Sequence, residues 1–235
     1  MFNIKTSKIK YKSVYPEYEN VVQPTKNNIP EWYKKILPHS ADKIRLGRIK
    51  EHSVKKCIPF LDSLNLGYVV TTPGDIFVEQ MPEGVVVEWT IEGPLLIKSR
   101  AAGLNQDIPV PMGCDKTHFL WSLPTSFQIP KGYSALITHP LNRHDLPFIT
   151  LSGVIDGGDF IMHPGGNLPF FMSNTFRGVI PKGTPIAQII PFKTENWNLE
   201  KTDSLLDLAE ISRKQSNAVF SEWYKKTFWQ KKTYN

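Results

Sequence analysis

From about residue 57 to residue 192 the apolar residues follow strand-like spacing. "VKKCIPFLDSLNLGYVVTTPGDIFVEQ" opens the region. Asp75 to Gln80 and Val85 to Ile91 are extended runs around "MPEG", with Val85, Val87, Trp89 and Ile91 on one face. They predict a hairpin with a four-residue connection. "HFLWSLPTSFQI", "YSALITH", "FITLSGVI", "FMSNTFRGVI" and "PIAQIIPF" follow, each bounded by Pro, Gly or Asn–Arg turns. Strands joined by short proline-rich turns, with no helical spacers, predict an antiparallel barrel or sandwich rather than a βαβ sheet.

The two ends read differently. Residues 1–52 have scattered Tyr and Pro with little periodicity and predict an extended basic arm. Its one short helix starts at Pro30, runs through Trp32, Tyr33 and Ile36, and closes at Pro38. Residues 53–195 form the β domain and 196–235 a helical tail. After Thr202, Leu205, Leu208, Ala209, Ser212, Val219, Phe220 and Trp223 fall near one helical stripe, which predicts an amphipathic C-terminal helix with lysines in its last turns. The phrase "EWYKK" occurs at Glu31 to Lys35 and again at Glu222 to Lys226, and reads as two helix ends that cover a Trp–Tyr pair with lysines.

"IPKG" also occurs twice, at Ile129 and at Ile180. Proline at the second position of a turn followed by Lys–Gly reverses the chain into a strand, so the pair predicts equivalent corners of one barrel.

The chain of 235 residues can bury one large β core. No apolar run approaches the ~20 residues that span a bilayer, and no apolar stretch follows the basic N-terminus as a secretory signal requires. Cys57 and Cys114 predict two reduced thiols. Net charge is +8 over residues 1–56, −4 over 57–192 and +2 over 193–235. Basic ends around a mildly acidic middle argue against a folded nucleic-acid-reading surface, leaving nucleic acid to the basic termini alone.

Candidate chemistry concentrates between Ile129 and Phe192. "GVID" (Gly153 to Asp156) followed by "GTPIAQII" (Gly183 to Ile190) resembles the dUTPase/dCTP deaminase superfamily. The resemblance covers about 65 residues and implies a dUTPase-like (β-clip) domain. In those enzymes the aspartate of "GVID" activates the attacking water, which would make Asp156 the general base. It also implies a phosphate-holding role for Arg143, and ligand contacts from Phe160 and Gln188, with Mg as the only cofactor. The pattern is degenerate: the serine pair expected near "THPLNR" is absent, no arginine follows Phe160, and no glycine-rich lid ends the chain. For Asp156 the residues themselves favour a turn aspartate bonding its own backbone beside Gly157. His139, His144, Asp145 and His163 lack the spacing of a metal site, so no metal is expected.

A second resemblance lies further toward the N-terminus. "P-E-W-Y-K-K", then "C-I-P-F-L-D" and "G-Y", is similar to a poorly characterised family of tailed-phage proteins, carried here by Trp32, Cys57, Pro59, Asp62, Gly67 and Tyr68. It implies a virion or host-cytoplasm setting. The leading expectation is a phage-encoded, non-enzymatic virion component without a cofactor. It would assemble with itself or other virion proteins through Tyr15, Tyr18, Trp32, Tyr33, Trp223, Tyr224 and Trp229. The alternatives are a nucleotide-processing enzyme with a reshaped site and a host-directed protein binding a small ligand.

Overall fold

The period-two stretches become antiparallel strands. A computed structural model describes residues 7–38, 53–82, 84–90, 96–99, 108–123, 125–159, 161–162, 166–201 and 220–234. By contacts the chain divides into two units, one of residues 1–28 with 67–194 and one of residues 29–66 with 195–235.

The first unit holds all the described strands. They run in order as β1 (Lys10–Ser13), β2 (Val22–Pro24), β3 (Tyr68–Thr71), β4 (Ile76–Met81) and β5 (Gly84–Trp89). Next come β6 (Ile97–Ser99), β7 (Cys114–Leu123), β8 (Thr125–Gln128), β9 (Tyr133–Thr138) and β10 (Phe148–Thr150). The last are β11 (Gly153–Asp156), β12 (Ile161–Met162), β13 (Gly166–Ser173), β14 (Gly178–Ile180) and β15 (Pro185–Lys193). Four sheets form, ordered β1-β8-β12, β10-β13-β7-β6, β11-β9-β15-β3-β2 and β14-β4-β5. Every pairing is antiparallel, so the mainly β antiparallel class expected above is the observed one.

One core takes side chains from all four sheets. Trp121 stacks on Phe170 with centroids 3.9 Å apart and meets Phe148 edge-on. Its indole N–H donates to Thr150 Oγ1 at 3.1 Å, and that hydroxyl donates on to the Ile186 carbonyl. The largest aromatic of the core thus enters it with its polar atom satisfied. β15 lies between β9 and β3, which buries Pro185 through Ile189 consecutively and explains the unbroken apolar run "PIA-II" around Gln188.

Several expectations need correction. The N-terminal segment is not a separate arm: β1 pairs with β8 and β2 with β3, so residues 7–28 complete two sheets. Tyr18, named above as an interface residue, is 2% exposed in the core. The β4–β5 hairpin pairs Met81 with Gly84, a two-residue rather than four-residue connection, while Val85, Val87 and Trp89 do face the core. In both "IPKG" turns the hydrogen bond runs from the residue after glycine to the proline carbonyl, Tyr133 to Pro130 and Thr184 to Pro181. Proline is therefore the first turn residue, and glycine, at φ 81° and 83°, holds the third position of a type II turn. The turns are alike but not equivalent corners: each precedes the start of β9 or β15, and these strands are antiparallel neighbours, so the turns lie at opposite ends of one ladder.

The second unit contains α1 (Glu31–Lys35), α2 (Ile58–Asn65) and α3 (Phe220–Thr227). Both "EWYKK" phrases are helical, as expected. α2 was read as strand; Pro59 in its first turn and Leu61 and Leu64 at three-residue spacing explain the helix. Tyr33 stacks on Phe60 at 5.8 Å, and Lys55 lies 4.4 Å over the Tyr33 ring while donating to the Tyr33 carbonyl. Tyr33 is 3% exposed, so its ring, like that of Tyr18, has no face left for another chain. The stripe residues from Leu205 to Val219 lie outside the described residues, as does the side chain of Trp223. Among the described residues no helix is long and apolar enough to cross a membrane.

Candidate functional site

The sequence-derived site residues sit on β9 and its two neighbours. β11 pairs with β9 so that Asp156 faces Ser134, and β15 pairs with β9 so that Gln188 faces Thr138. Four residues of strand separate Ser134 from Thr138, about 13 Å. Asp156 and Gln188 therefore belong to opposite ends of the ladder.

At the Asp156 end, the Ser134 hydroxyl lies 2.8 Å from Asp156 Oδ1 and 2.7 Å from the Thr194 hydroxyl. Asp156 is a strand-end residue engaged across the ladder, not a turn aspartate bonding its own backbone. The glycines after it are used by the first "IPKG" turn. Gly157 N–H donates to the Tyr133 carbonyl at 2.8 Å and Gly158 N–H to that of Ile129 at 3.0 Å. A Cβ on Gly157 would lie 2.2 Å from the Pro130 carbonyl oxygen, which is why glycine follows "GVID" here.

At the other end, the "HPLNRHD" loop is held from below. Gln188, 1% exposed, accepts the Leu141 N–H at 2.8 Å. His139 bonds the Arg143 carbonyl through Nε2 at 3.0 Å and accepts the Thr150 N–H at Nδ1, 3.3 Å away. That pairing fits the neutral ring with its proton on Nε2. Burial pushes the pKa of His139 below its ordinary value, and the bond to the Arg143 carbonyl opposes this. Arg143 closes a two-pronged ion pair on Asp145 at 2.8 and 2.9 Å. Arg143, Gln188 and His139 thus shape the loop and are not gathered around Asp156.

Phe160 and His163 lie outside the described residues. Among the described residues no three His, Cys, Asp or Glu side chains come together as a metal site. Both cysteines are free, and burial raises the pKa of Cys114. Of the expected interface residues, Tyr15 is 40% exposed, Trp32 and Tyr224 are half-buried, and Trp229 bonds Asp62.

Two features escaped the sequence reading. Lys8, Lys10, Gln128, Pro130, Lys131, Gly158 and Asp159 line a cleft of about 270 Å³ at one edge of the β1-β8-β12 sheet. Its signal was the every-second-residue lysine in "SKIKYKS", hidden by reading the segment as an extended arm rather than a strand. Glu195 to Lys201 lack helix or strand, and there Trp197 is 84% exposed and Leu199 fully exposed. Two large apolar residues in so polar a stretch were visible but unremarked.

No family model matches the chain, and no curated protein matches it. Solved structures similar to it include the dUTPase of Staphylococcus bacteriophage 80alpha with dUpNHpp, at 12% identity over 86% of this chain and 92% of that one, with a TM-score of 0.32. Another is the dUTPase from phage phi11 of S. aureus, at 10% identity over 85% of this chain and 99% of that one, with a TM-score of 0.34.

Proposed function

We propose that the protein is a non-catalytic component of a larger assembly, encoded by a tailed phage and built into its virion. The observation that carries this reading is the exposure of Trp197 and Leu199 on a segment with no regular structure of its own. Burying such side chains is worth about 1.5–3 kcal/mol each, which an isolated chain forgoes and a neighbouring copy would recover. Phe77, Val86 and Val179 add a second exposed apolar area on the outer face of the β14-β4-β5 sheet, where Val179 lies directly opposite Phe77.

The non-catalytic part is supported by the state of the motif residues. Ser134 occupies one oxygen of Asp156, Arg143 is neutralised by Asp145, and Gln188 is sealed beneath a loop. The arginine that the resemblance assigns to phosphate lies in the loop at the far end of the ladder from Asp156, held there by Asp145.

Sedimentation of the full chain beside Trp197→Ser/Leu199→Ser tests the proposal. The parent should sediment as a multimer and the double variant as a smaller species with unchanged circular dichroism. A monomeric parent, or a double variant that assembles as well as the parent, refutes it.

A further inference from the structure

We propose that the lysine face of β1 and the adjoining cleft bind the phosphate backbone of a single-stranded nucleic acid. Lys8 and Lys10 line the cleft together, and strand alternation places Lys12 on the same face as Lys10. Successive lysines are then about 6.8 Å apart. That spacing is of the order of the distance between neighbouring phosphates in an extended single strand. Lys131, at the tip of the first "IPKG" turn, adds a third cation to the lining of the cleft.

Among the described residues, Lys8, Lys10, Lys12 and Lys131 form neither ion pairs nor side-chain hydrogen bonds. Among the described residues lining the cleft Asp159 is the one carboxylate, against the three lysines Lys8, Lys10 and Lys131.

The cleft's donors decide between a compact phosphate group and a strand. A compact triphosphate is held by converging backbone N–H groups, as in glycine-rich phosphate loops. Here Gly158 N–H is already given to the Ile129 carbonyl, and the Gln128 side-chain amide reaches the Gly158 carbonyl at 3.4 Å. The side-chain cations lining the cleft are flexible ammonium groups, which suit a linear polyanion held by point charges. Among the described residues lining the cleft the charged side chains are lysines and Asp159, contacts that position a backbone rather than read a base. The inference stands apart from the assembly reading and from the nucleotide-hydrolysis alternative.

Fluorescence anisotropy of a labelled oligothymidylate with the full chain, across a salt series, tests it. Four phosphate contacts, from Lys8, Lys10, Lys12 and Lys131, predict a log–log salt slope of about −2.8. Lys8→Ala/Lys10→Ala/Lys131→Ala should weaken binding by about tenfold or more and flatten that slope. Asp159→Asn should tighten binding, a gain that misfolding cannot imitate. Lys225→Ala/Lys226→Ala on α3 should change neither quantity. No salt-dependent binding, an unaltered triple variant, or loss on changing Lys225 and Lys226 instead would overturn the proposal. So would inorganic tripolyphosphate competing as well as the oligonucleotide at equal phosphate concentration, because the cleft would then be a compact phosphate site.

Discussion

Trp229 donates its indole N–H to the carboxylate of Asp62, 167 positions earlier, at 3.1 and 3.0 Å from the two oxygens. Lys232 reaches the same carboxylate at 2.6 Å. One aspartate on α2 thereby fastens the end of the chain that follows α3. The side chain of Asp62 is 17% exposed and that of Lys232 42%, so the indole bond outweighs the screened ion pair. Asp62→Ala should cost about 1.5–3 kcal/mol of the second unit's stability, the usual range for a hydrogen bond to a charged group. Denaturant melts would measure it, while limited proteolysis should cut the released C-terminus faster. Lys232→Ala should have a much smaller effect on both.

Gly67 meets two constraints at once. Its φ is +71°, and a Cβ there would fall 2.1 Å from the Ile189 carbonyl oxygen on β15. The backbone cannot yield without disturbing the β15–β3 pairing of Ile189 with Tyr68. Gly67→Ala should destabilise the protein by at least about 2 kcal/mol, combining left-handed strain with a backbone clash. A thermal melt indistinguishable from the parent's would refute this.

His139 makes stability depend on pH. Its folded pKa is depressed, chiefly by burial, so between that value and about 6.5 the unfolded chain binds more protons than the folded one. Its contribution is complete above pH 6.5 and declines as pH falls through the window. Protonation at Nδ1 would also remove the acceptor of the Thr150 N–H. The slope from this one group is at most about 1.4 kcal/mol per pH unit. Denaturant melts between pH 8 and pH 5 should show that slope in the parent and a shallower one in His139→Gln. Equal slopes would exclude His139 as its source.

Asp156→Asn separates the assembly reading from the enzymatic alternative. The amide can still accept from the Ser134 hydroxyl through its oxygen, so the fold and assembly should be unchanged. Neither the parent nor the variant should release pyrophosphate from dUTP or dCTP with magnesium. Release by the parent that the variant lacks would establish Asp156 as a general base and displace the non-catalytic proposal.

The candidate site was legible only in part. The order of "GVID" and "GTPIAQII" marked two strands that do flank β9, because neighbours in a sheet carry their pattern locally. It did not reveal that Asp156 and Gln188 meet β9 four residues apart, since register is set by pairing between distant segments. Nor did it reveal the partner of Arg143: Asp145 was in view two residues away, but only the folded loop brings the two side chains face to face.

The sequence by itself determined the antiparallel β class, the presence of a Lys–Gly turn ahead of two strands, and the helical character of both "EWYKK" phrases. Each depends on spacing or dihedral preference within a few residues. Tertiary structure alone decided the rest. It drew "KYKS" and "VQP" out of a supposed arm into two sheets and buried Tyr18 and Tyr33. Those outcomes depend on what lies across the core or across a ladder, and a single strand's worth of residues carries no record of its distant partner.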